Sequence, residues 1–170
     1  MACLYALSSR GMHEIPPAPE VPDEQKAGGD VSLRYEDIAQ DGRVMLLAMP
    51  QAIGEVWRRV LDDRGVAIAL RDAGIVPILT RLVIEGAGGP ISVRKRLRAE
   101  GRFHVVHTAG SGGVPDRILL DMWASLSGPR SRTHGPPPPG AGEMIPVGRV
   151  FASHVFTRPF GSVSDRKVLS

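Results

Sequence analysis

Apolar positions along this chain change their period several times, and each change marks an element. Val31, Leu33 and Tyr35 alternate with Ser32, Arg34 and Glu36, the period of two that a strand with one buried face requires. An acidic, glycine-bearing turn follows. Val44 to Leu47 then begins an apolar run that Pro50 is expected to break or kink, because proline removes a donor and crowds the preceding turn. Ala52, Ile53, Val56, Trp57, Val60 and Leu61 recur at helical spacing with Glu55, Arg58, Arg59, Asp62 and Asp63 facing away, which predicts the best amphipathic helix of the chain. Helical character continues through Ala67 and Leu70 to Gly74, a C-cap residue ahead of a strand that Pro77 introduces.

The next fifty or so residues read as a meander of antiparallel strands. Ile78, Thr80, Leu82 and Ile84 share one expected face, and Gly86 to Pro90 turns the chain. Ile91, Val93, Leu97 and Ala99 stand among Ser92, Arg94, Arg96, Arg98 and Glu100, and the strand continues through Phe103, Val105 and His107. After a Gly110–Gly113 turn, Ile118, Leu120, Met122, Ala124 and Leu126 line an inner face, with Asp121 and Trp123 outside. Val147 to Arg158 carries enough branched and aromatic residues for one more strand.

The two ends and one linker lack such a period. Met1 to Gly29 is interrupted by Pro16, Pro17, Pro19 and Pro22 and reads as a disordered tail, since it buries too little to offset its ordering entropy. Gly135 to Gly140, with four prolines between, reads as a stiff polyproline spacer. Composition is otherwise that of one globular domain, 42% hydrophobic and 23% charged. A net charge of +3 is too small to point to nucleic acid. The single cysteine, Cys3, cannot form an internal disulfide, which fits a cytoplasmic protein. The apolar start has no basic residue before Arg10 and no run long enough to span a bilayer, so neither a secretory leader nor a membrane span is expected.

Chemistry concentrates in Asp37-Ile-Ala-Gln-Asp41-Gly-Arg-Val44. Asp37 and Asp41 supply carboxylates, and Gly42 supplies an amide near a helix start, where unpaired N–H groups favour developing negative charge. The order of strand, acidic-glycine turn, long helix and successive antiparallel strands resembles the hotdog fold, an α+β architecture in which a curved antiparallel sheet wraps one central helix. The turn is similar to that of the thioesterase branch, Asp-x-Asp-x-x-Gly-His-Val, with Asp37, Gly42 and Val44 matching and Ala39 and Arg43 standing where the second aspartate and the histidine are usual. The resemblance covers about 31–128. It implies a homodimer or higher homo-oligomer acting on acyl-CoA or acyl-carrier-protein thioesters, with no cofactor, the Gly42 N–H polarising the carbonyl and Asp41 substituting for the missing carboxylate. A non-catalytic acyl- or partner-binding module and a dehydratase share the fold. The expected organisation is a tail over 1–29, a hotdog-like domain over 30–128, a linker over 129–146 and a C-terminal strand and tail over 147–170.

Each candidate has a plainer reading. Asp37 and Asp41 at a strand-to-helix turn can cap the helix. His104 and His107 point to opposite faces of a regular strand, which leaves His107 as the inward, potentially catalytic one and a satisfied core histidine as its alternative. Arg43, Arg94 and Arg96, with Arg98 and Arg102 beyond them, can meet a substrate phosphate or simply keep a sheet face solvated. No Cys/His cluster has metal spacing, so no metal is expected.

Overall fold

The alternating stretches form one five-stranded antiparallel sheet packed around one long helix. The structure, a computed structural model, describes residues 14–87, 89–92, 96–107, 118–131, 139–140 and 142–157. Strands β1 (Lys26–Val31), β2 (Val76–Gly86), β3 (Leu97–His107), β4 (Ile118–Pro129) and β5 (Met144–Thr157) stand in the order β1-β3-β4-β5-β2. Helix α1 (Ala48–Asp63) lies against β1, β3, β4 and β5, and α2 (Val66–Asp72) leads to β2. The expected α+β arrangement of sheet and central helix is therefore present.

Register sorts side chains between two faces, because cross-strand partners share a face and neighbours along a strand do not. Leu97, Ala99 and Phe103 of β3 and Met122, Ala124 and Leu126 of β4 face α1, as the alternation predicts. They meet Met49, Ala52, Ile53, Val56 and Trp57 from the helix. Trp57 stands edge-on to Phe103 at 5.4 Å. Gly74 ends α2 with φ 66°, and the amides of Gly74 and Ile75 donate back to Arg71 and Leu70.

Several expectations change. The first strand is Lys26–Val31 rather than a run starting at Val31, and its inward residues are Ala27, Gly29 and Val31. Small residues hide a strand from a search for alternating apolar bulk. Pro50 does not break the helix, because α1 already begins at Ala48 and the first turn has no intrahelical donor for proline to remove. Ile78 does not share a face with Leu82 and Ile84. A register shift between Leu79 and Arg81 moves Leu79 to the helix side and Ile78 to the other. The meander also holds only for β3, β4 and β5, since β2 crosses to the far edge and pairs with β5. β5 begins at Met144 and completes the same sheet. Ile91 makes an isolated bridge to Arg130, and Val93 lies outside the described residues, as do the Gly110–Gly113 turn and most of the polyproline spacer.

Of the N-terminal stretch expected as a tail over 1–29, residues 26–29 belong to β1 and residues 14–22 run across the face of the sheet opposite α1. Arg81 on β2 donates to the Glu14 carbonyl at 2.9 Å, the Trp123 indole N–H on β4 to Pro16 at 2.8 Å, and Arg102 on β3 to Pro19 at 3.3 Å. Ile15 N–H returns a bond to Glu85, and Val21 is buried. Prolines lack donors but keep their carbonyls, and the sheet's side chains bind this segment through them.

Candidate functional site

The acidic segment builds a hydrogen-bonded knuckle between β1 and α1. Tyr35–Asp37 forms a turn of 3-10 helix closed by the Arg34 N–H donating to Asp37 Oδ2 at 2.8 Å. Ile38 and Val44 then form an isolated bridge, Ala39 N–H donates to the Arg43 carbonyl at 2.8 Å, and Gly42 N–H donates to the Ala39 carbonyl at 2.9 Å. Gly42 sits at φ 79°, where a side chain is strained, and a Cβ there would lie 2.9 Å from Pro90 Cβ. Asp41 Oδ1 accepts the Arg43 N–H at 3.0 Å, an Asx turn.

These bonds revise what each residue does. Both aspartates hold backbone within the knuckle instead of capping the long helix, whose N-cap, Leu47, has no side-chain cap bond. The Gly42 amide is consumed in closing its own turn, and α1 starts only at Ala48. Unpaired amides also lie further on, next to the helix. Met45 N–H donates to the Asp37 carbonyl at 2.9 Å, Ala48 to Met45 at 3.0 Å and Met49 to Leu46 at 3.3 Å. Among the described residues, nothing accepts the N–H of Leu46 or Leu47. These two donors stand at the positive end of a sixteen-residue helix. Around them the surface is apolar and open, with Tyr35 89% and Leu47 74% exposed and Met45 and Leu46 also accessible.

Asp37, Asp41, Gly42 and Arg43 thus come together at the start of α1, with the Arg43 Nε 3.6 Å from Asp41 Oδ2. Gly42 accepts the Ile91 N–H at 3.0 Å, which docks the knuckle beside the segment leading to exposed Arg96; Arg94 lies outside the described residues. His107 is not brought to this site within one chain. It ends β3, roughly 33 Å along the strand from Leu97, whose end of the sheet holds the knuckle. Among the described residues, no group of three or more His, Cys, Asp or Glu can hold a metal, and no helix is long and apolar enough to cross a membrane.

One titratable group escaped the sequence reading. His154 on β5 faces the helix side between Leu79 and Leu120, and its Nδ1 is buried without a partner. Burial pushes its pKa down, against the opposing pull of Asp121 and of a hydrogen bond with the Leu120 backbone. The unfolded chain then takes up a proton first as pH falls through the ordinary histidine value, so acid favours unfolding. Wild-type protein is expected to lose melting temperature from about pH 8 to about pH 5, with a smaller loss in His154→Gln; equal slopes in thermal scans would exclude this origin.

No protein-family profile matches the chain, and no curated protein matches it by sequence. Solved structures do match in shape. A hypothetical protein from Thermus thermophilus aligns with TM-score 0.56 at 12% identity, covering 85% of this chain and 95% of that one. A 1,4-dihydroxy-2-naphthoyl-CoA thioesterase from Synechocystis aligns at 0.51 and 12% identity over 85% and 95%. An acyl-CoA hydrolase from Bacillus cereus aligns at 0.50 and 9% identity over 86% and 81%. The chain has the hotdog fold that thioesterase-superfamily structures share, with a sequence far removed from theirs.

Proposed function

We propose that this protein hydrolyses acyl-CoA thioesters at the start of α1. The observation that carries the reading is the junction itself. Two carboxylates are tied through the Asp37 carbonyl and Met45 N–H to a helix start with two unpartnered amides and an apolar rim. The Leu46 and Leu47 N–H groups would hold the thioester oxygen as charge develops on it. Asp41 would take a proton from water, and the resulting hydroxide would add to the carbonyl carbon. The C–S bond then breaks, and the departing thiolate receives the proton that the carboxylate took. The Synechocystis and Bacillus structures, named as a CoA thioesterase and an acyl-CoA hydrolase, support CoA as the carrier. Exposed Arg43 and Arg96 would meet its phosphates on this side, and an acyl-carrier protein would present a phosphate to the same groups.

The test is thiol release from a panel of acyl-CoA and acyl-carrier-protein substrates, short to long and aliphatic to aromatic. Release above background is expected for at least one member. A second reading, an acyl-binding module without turnover, is favoured by Ala39 at the position where the family pattern carries a carboxylate. Thermal stabilisation by acyl-CoA with no release from any substrate would establish it and overturn hydrolysis.

The reading also includes a cytoplasmic homodimer. β2 is an edge strand on which Val76, Ile78, Leu79 and Leu82 are all exposed, an apolar edge that invites pairing with a second copy. Sedimentation is expected to give a dimer, and Leu79→Glu a shift to monomer; a wild-type monomer at assay concentrations would remove the dimer from the reading.

A further inference from the structure

The segment 14–22 encloses a hollow on the sheet face opposite α1, of about 540 Å³, within the roughly 300–1,000 Å³ of small-molecule sites. Register explains why it exists. One outward row runs Lys26, Arg102, Trp123, Phe151 and Val83 across all five strands; the next runs Gly28, Glu100, Ser125, Arg149 and Glu85. The first row is bulky. In the second, Gly28 and Ser125 leave space beneath the Ile15–Ala18 segment, so prolines and Trp123 form an apolar wall above a floor of small residues.

The rim is cationic. Lys26, Arg98, Arg102 and Arg149 line the hollow against one acid, Glu100. Three of these cations already have carboxylates: Lys26 pairs with Asp23 at 2.7 Å, Arg98 with Glu100 at 2.8 Å, and Arg149 donates to Glu85 at 3.1 Å. Those contacts hold the Asp23 and Glu85 carboxyls below their ordinary range and keep the Arg98 guanidinium charged. Arg102 differs. It donates to the Pro19 carbonyl, and among the described residues no carboxylate pairs with it. A partly buried guanidinium with donors to spare, beside proline and indole surface, is a receptor for an anion carried on an apolar body.

We infer that this hollow binds an amphipathic organic anion, its phosphate or carboxylate on Arg102 and its apolar part against the wall that Pro16, Pro17 and Trp123 form. The ligand would also fasten the 14–22 segment, since that segment supplies one wall. The site lies on the other face of the sheet from the α1 junction and does not depend on thioester hydrolysis.

The probe is 1-naphthyl phosphate, titrated calorimetrically into the full chain beside inorganic phosphate and 1-naphthol, each holding half of the chemistry. Saturable binding about tenfold or more tighter than either half is expected, a coupling of both contacts in one site. Arg102→Gln is expected to weaken binding about tenfold or more. Gly28→Val should abolish it by filling the floor, where an added Cβ meets nothing nearer than the Ala99 carbonyl at 3.4 Å. Bound probe should also slow cleavage after Glu20 by a glutamate-specific protease. Absence of saturable binding, or equal affinity in the wild type and both folded variants, would overturn the site. No thioester enters this assay, so its failure and a failure of hydrolysis are separate results.

Discussion

Trp57→Ala is expected to lower the unfolding free energy by about 3–5 kcal/mol, read as a fall in the guanidinium midpoint. Trp57 is 4% exposed and packs edge-on against Phe103 at an interplanar angle of 78°, so truncation removes an aromatic pair as well as buried area. The surroundings cannot collapse easily into the gap. The sheet under the indole is already at closest approach: a Cβ on Gly101 would stand 3.0 Å from Trp57 Cζ2 and 2.9 Å from the Trp123 carbonyl. Backbone on one side and α1 on the other leave the void open, which is the condition for a cost at the upper end of the range. Set against a total of about 5–15 kcal/mol for a typical domain, such a loss is roughly a fifth of stability or more. A midpoint unchanged in Trp57→Ala would mean that α1 does not rest on β3 as described. Gly101→Ala is the converse test and should destabilise by overpacking rather than by a cavity.

The parts of this fold that the sequence disclosed are those where one face buries bulky side chains. α1 showed itself through Ile53, Val56 and Trp57, and β4 through Met122 and Leu126, because burial there is written in a period. β1 was hidden because Ala27 and Gly29 fill its inward positions beside Val31, and small residues carry no periodic signal. The bulge at Thr80 was equally silent, since an extra residue in one strand follows from pairing with β5 and not from local propensity. The 14–22 segment looked like a tail because its prolines break any hydrophobic period. Its carbonyls accept from Arg81, Trp123 and Arg102, residues between 67 and 107 positions away in sequence. At the knuckle, residue types were legible and roles were not. Asp37 and Gly42 stand at motif positions and Asp41 two residues beyond the missing one, yet the Gly42 amide closes a four-residue turn, and the unpartnered donors nearest the helix belong to Leu46 and Leu47, ordinary apolar residues with no motif value.

Asp41→Asn is expected to reduce kcat for thioester hydrolysis by about 10²- to 10⁴-fold while leaving stability within about 0.5 kcal/mol. Asparagine is the informative replacement because the two roles of Asp41 use different properties of its side chain. Holding the knuckle requires only an acceptor at Oδ1 for the Arg43 N–H, which the amide oxygen supplies. Accepting a proton from water requires the carboxylate, which asparagine lacks. Alanine would remove both, and a loss of turnover could then come from a deformed turn. Asp37→Asn is the matched control: it keeps the acceptor for Arg34 N–H, and its carbonyl still receives the Met45 N–H that joins knuckle to helix. Turnover retained in Asp37→Asn and lost in Asp41→Asn, both folded, assigns the base to Asp41. The reverse pattern assigns it to Asp37, and undiminished turnover in both variants removes the acidic knuckle from the chemistry altogether, leaving the Leu46 and Leu47 amides to act with a base from another part of the assembly.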